Sequence, residues 1–136
     1  MSRIAAVKES VIKRFVVWSN AFYLVPFALS VYADFWVDTA ALGVLLICST
    51  AFHASGERRF VLADILASAL VIVVNAVACI LGDFRTPYFT GVWLLAVVAF
   101  FIRYYVERGD RGSTAHGFWH VLAAAILSLC ILVYTT

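Results

Sequence analysis

The chain has 136 residues, 65% of them hydrophobic and 13% charged, with a net charge of +2 and a mean hydropathy of +1.00. Soluble domains carry charge at about a quarter of positions, so this composition excludes a water-soluble enzyme: too few polar residues remain to cover a core. The weak net charge gives no electrostatic reason for a nucleic-acid partner, and the expected surroundings are a lipid bilayer.

Five apolar runs follow one another at about 15–33, 35–53, 60–81, 88–105 and 116–134. Each holds roughly 18 to 22 residues, which at ~1.5 Å per helical residue crosses a ~30 Å hydrocarbon core. The expected fold is therefore all-α: a single transmembrane domain over residues 1–136, built as a polytopic bundle of five helices. The first run is interrupted by Ser19, Asn20 and Pro26. Basic residues precede it and Val31-Tyr32-Ala33 closes it, so a cleaved signal peptide is the alternative there. Asp34 breaks the chain before the second run, and Gly56-Glu57-Arg58-Arg59 before the third. Gly82-Asp83 ends the third, after which Thr86 and Pro87 read as a helix N-cap and first-turn proline. Residues 109–114 separate the last two runs, with Ser113 or Thr114 as the expected cap. Such short connections make consecutive helices antiparallel.

Arg3, Lys8, Lys13, Arg14, Arg58, Arg59, Arg103, Arg108 and Arg111 all fall on one side of a five-span bundle, and Arg85 alone falls on the other. By the positive-inside rule the N-terminus is cytoplasmic and the C-terminus outside. The expected location is the plasma membrane of a prokaryote. Cys48, Cys79 and Cys130 lie within spans and read as small buried apolar side chains without a disulfide framework. Trp18, Trp36, Trp119, Tyr32, Tyr104 and Tyr134 stand near span ends, where aromatic belts form.

Ionisable groups inside a span cost roughly 2.5 to 3.5 kcal/mol on insertion scales, and those that persist call for a partner. His53 ends the second span, Asp64 lies about one turn into the third, and His116 and His120 open the fifth. The topology brings all of them to the cytoplasmic end. His116 and His120 are four apart, so both rings share one helix face and can serve one metal ion. Ser49 has the same spacing to His53, which puts its hydroxyl one turn deeper on the same stripe. Asp64, Ser68 and Asn75 line one face of the third helix, expected to point into the bundle. Asn20 lies at comparable depth in the first.

Taken together, Ser49-x-x-x-His53, Asp64 eleven residues further on, and His116-Gly-Phe-Trp-His120 opening the last helix resemble the signature of the CREST superfamily of membrane hydrolases. That superfamily includes the alkaline ceramidases and the adiponectin-receptor-like proteins. The interval from His53 to Asp64 is similar to that of the alkaline ceramidases in particular, and Trp18-Ser19-Asn20 resembles the Ser-Asn pair of their early helix. The resemblance implies zinc as cofactor, held by His53, His116 and His120, with Asp64 and Ser49 near a water at the open position and Asn20 supporting them from behind. It also implies hydrolysis of a lipid amide or ester. Family members usually have seven helices, so five would leave the lipid cavity as an open groove or have it completed by a second copy of the chain.

The leading expectation is thus a zinc-dependent hydrolase of membrane lipids, with Asp64 moving the proton and Ser49 donating a hydrogen bond to the reacting oxygen or the water. Its partners would be the bilayer, a lipid substrate and, for an incomplete cavity, a homo-oligomer. A non-catalytic receptor or assembly protein with a structural zinc site is the alternative. A haem protein with axial histidines from two helices is a third reading, and it requires His53 opposite His116 or His120.

Overall fold

The computed structural model describes residues 14–107 and 114–136. Among them are five helices long and apolar enough to cross a membrane: α1 (Arg14–Tyr32), α2 (Trp36–Ser55), α3 (Arg59–Leu81), α4 (Tyr88–Val106) and α5 (Thr114–Thr135). No strand occurs among the described residues. The architecture is an all-α bundle. Its boundaries follow the apolar runs to within one or two residues, because in lipid every backbone polar group must be paired within the segment and the helix persists as long as the apolar run does.

Turn chemistry sets the ends. Asp34 takes a left-handed conformation (φ 53°) after α1, and Gly56 does the same (φ 70°) after α2 while its N–H bonds the Phe52 carbonyl at 2.7 Å. A left-handed residue at this position closes the last helical turn, and glycine adopts it without a Cβ penalty. The entry to α4 differs from the expected Thr86 cap. Pro87 occupies the N-cap position with no side-chain cap bond, because the Arg85 carbonyl already accepts the Phe89 N–H at 3.0 Å and leaves the Thr86 hydroxyl no task. Thr114 is itself the first helical residue of α5, and Ser113 lies outside the described residues.

The core joins α1, α2, α3 and α5 through Tyr23, Leu42, Leu45, Val71, Leu127 and Ile131. α4 packs chiefly on α5 and buries only Ala99. Its Trp93, Leu94, Val97, Phe100 and Phe101 are exposed, as lipid-facing side chains are. α1 is built into the bundle, with Ser19, Asn20, Tyr23, Pro26 and Ser30 buried.

Two glycines allow close approach. A Cβ on Gly82 would collide with the Val133 carbonyl oxygen, so α3 ends directly against the α5 backbone. A Cβ on Gly117 would collide with the Phe15 ring, so glycine between the two α5 histidines is what lets α1 lie close against them.

The first helix also contains a local change of pitch. Residues Asn20–Tyr23 form a 3-10 turn. Pro26 explains it: the proline ring has no N–H to offer the carbonyl four residues back and would collide with it, so the backbone before it tightens to the i to i+3 pattern. In that pattern side chains three apart eclipse, which stacks Asn20 and Tyr23 on the buried face.

Candidate metal centre

Two helices deliver the histidines to one end of the bundle's interior. His53 sits in the last turn of α2, held there by the Gly56 stop. His116 and His120 lie in the first two turns of α5, and their four-residue spacing turns both rings inward. All three are buried.

Their ligand atoms all lie within 4.8 Å of one another. Ring centroids are 4.9 Å apart for His53 and His116, 5.0 Å for His53 and His120, and 4.7 Å for His116 and His120. His116 Nε2 and His53 Nε2 are separated by 3.2 Å. Two ligands of a tetrahedral zinc ion, each at ~2.0–2.1 Å, would be about 3.3 Å apart, so the pair fits such an ion. Imidazoles packed this closely leave no space for a porphyrin between His53 and the α5 histidines, which removes the haem reading.

The protonation of one ring follows from hydrogen-bond bookkeeping. Ser19 donates its only hydroxyl proton to the Val16 carbonyl at 2.7 Å. The 2.8 Å contact between Ser19 Oγ and His120 Nδ1 therefore has the ring as donor. With the proton on Nδ1, the lone pair of His120 is on Nε2, free for a metal. Orientation of a ligand histidine through its second nitrogen is the usual support of a metal site. Ser19→Ala is expected to lower metal affinity by about 10- to 100-fold while leaving the helical content unchanged; competition titration against a chelating dye measures it, and unchanged affinity would remove Ser19 from the site.

Ser49 lies one turn deeper than His53 on α2 and donates to Asn20 Oδ1 at 3.0 Å. Its proton is engaged there. The unengaged donor of the pair is Asn20 Nδ2, which is buried and without a partner. Asp64 on α3 is half-buried, and its carboxylate interacts electrostatically with Tyr23. It does not belong to the mutually close set of ligand atoms, which among the described residues consists of the three histidines.

Tyr23 was not singled out by the sequence as a site residue, and Ser19 entered only through the resemblance of Trp18-Ser19-Asn20, without a role of its own. Tyr23 is buried, with its ring centroid 5.7 Å from that of His120. The available signal was the recurrence of Ser19, Asn20 and Tyr23 at one- and three-residue steps, a polar stripe in an otherwise apolar helix. Trp119 also departs from its expected belt position: it is half-buried and lines a cavity of about 160 Å³ with Tyr23, Ser68, Val71, Ala123 and Leu127. The other belt residues, Trp18, Trp36, Tyr32, Tyr104 and Tyr134, are exposed.

Comparison with protein-family models, with curated proteins and with solved structures finds no match for this chain. Its chemistry therefore rests on the geometry. Three buried imidazoles converging from two helices can hold a metal ion.

Proposed function

We propose that this protein is a zinc-dependent hydrolase of acyl amides or esters in membrane lipids, related to the alkaline ceramidases within the CREST superfamily. The observation that carries the reading is the ligand count. Structural zinc sites are closed by four protein ligands, whereas catalytic sites use three and keep a position open; here three ligands converge and no fourth His, Cys, Asp or Glu joins them among the described residues. This favours catalysis over a purely structural zinc site in a receptor or assembly protein.

His53, His116 and His120 would hold the zinc. When bound, it supplies Lewis acidity, polarising the scissile carbonyl and activating a water. Asp64, on α3 beside Tyr23 and outside the ligand set, takes the proton from the attacking water and returns it to the leaving nitrogen or oxygen. Ser49 fixes Asn20 through its hydrogen bond, and Asn20 Nδ2 remains as a buried donor for an oxygen of the substrate. The donor role that the sequence suggested for Ser49 thus passes to Asn20.

The cavity beside Tyr23 and Trp119 is apolar apart from Ser68 and the tyrosine hydroxyl. At about 160 Å³ it compares with engineered cavities that take a benzene-sized group, room for a section of an acyl chain. Arg14, Arg58, Arg59 and Arg103 cluster at the histidine end and Arg85 at the other, which supports a cytoplasmic N-terminus. A reporter fused after Thr136 is expected to be active outside; a cytoplasmic signal would reverse the orientation.

Labelled sphingolipids, N-acyl lipids and glycerolipids offered to the detergent-purified protein test the reaction. Fatty acid should be released from at least one class, with release abolished by chelator and restored by zinc. Zinc-loaded protein that binds lipid but releases nothing from any class would establish the receptor alternative.

A further inference from the structure

The end of the bundle opposite the histidines buries a carboxyl group. Asp38, in the first turn of α2, is wholly buried and lies about 22 Å along the helix from His53 at ~1.5 Å per residue. Asn75 of α3, also buried, donates from Nδ2 to Asp38 Oδ1 at 2.7 Å and to the Val71 carbonyl at 3.0 Å. Both amide protons are then in use. The bond to Val71 fixes the amide orientation, because turning the group over would set its oxygen against that carbonyl.

Two acceptors of this pair remain. Asp38 Oδ2 and Asn75 Oδ1 are buried and have no hydrogen-bond partner. No Lys, Arg or His forms an ion pair with Asp38 among the described residues. Cys130 of α5 interacts electrostatically with Asp38, and it packs with Cys79 of α3 and Val133. An ionised carboxylate here would be a buried charge with one hydrogen bond, at membrane depth, which is costly.

A single proton satisfies both orphaned atoms. Placed on Asp38 Oδ2, it turns that oxygen into a donor and gives Asn75 Oδ1 the hydrogen bond it lacks. We propose that Asp38 and Asn75 form a proton-binding site, a neutral carboxylic acid joined to an amide through two hydrogen bonds, which clasps α2 to α3 without carrying charge. The site is independent of the hydrolase reading and shares no residue with the histidine cluster.

Infrared spectroscopy of the purified full chain tests the proton directly. A protonated-carboxyl band that shifts in D2O and vanishes in Asp38→Asn is expected. Thermal unfolding tests the clasp. Asp38→Asn keeps both hydrogen bonds and adds one unpartnered amide N–H, so it melts closer to wild type than Asp38→Leu, which strips both partners from Asn75 and lowers the melting temperature by ~5 °C or more. An ionised Asp38 held by a metal or alkali cation would show no such band, and Asp38→Asn would then melt as low as Asp38→Leu. Either result overturns the proposal.

Discussion

Alanine in place of His53, His116 or His120 is expected to take the purified protein from about one zinc per chain to background. Three imidazoles are the whole ligand set among the described residues, so removing one leaves two, too few to retain the ion against a competing chelator. The variants differ in what they leave behind. His120→Ala also deprives Ser19 of its 2.8 Å partner, while His53→Ala and His116→Ala each abolish the 3.2 Å contact between Nε2 atoms. Elemental analysis alongside circular dichroism separates metal loss from unfolding. Zinc content equal to wild type in all three variants would dismiss the site.

Asp64→Asn is expected to slow lipid hydrolysis by about 10²- to 10⁴-fold, the usual contribution of a positioned general base, with zinc still bound. The substitution keeps the shape of the side chain and removes its capacity to accept and return a proton. Retention of metal follows from the position of Asp64 outside the close-set ligand atoms. Metal lost as completely as in a histidine variant would make Asp64 a ligand, and the proton would then need another carrier.

The fold was legible because membrane physics leaves few choices: a run of apolar residues as long as the bilayer is thick becomes a helix. The histidine cluster was legible too, since the four-residue spacing of His116 and His120 fixes a shared face, and the short turn at Gly56 fixes the end to which His53 belongs. What escaped were residues whose role depends on a neighbouring helix. Asp38 in the first turn of α2 resembles an ordinary N-terminal acid complementing the helix dipole; only the approach of Asn75 from α3 makes it a buried pair. Ser49 and the Ser19-Asn20 pair were noted in the sequence, but not what they bond: the partners of Ser19 and Ser49, His120 and Asn20, lie 101 and 29 residues away. Trp119 was misplaced because nearness to a span end says nothing about azimuth.

Pro26 makes azimuth a designed quantity in α1. A 3-10 turn advances about 120° per residue against about 100° in an α-helix. Over the four residues Asn20–Tyr23 the accumulated difference is about 80°, nearly a quarter turn. The N-terminal half of α1 is thereby rotated against its C-terminal half like two sections of a shaft set out of phase. The section carrying Ser19 presents it to His120, while the section beyond Pro26 presents Ser30 to Thr39 of α2. A uniform α-helix could satisfy one of these alignments and would miss the other, so the angular setting of the histidine end is fixed by an imino acid that belongs to neither the histidine cluster nor its hydrogen-bonded support.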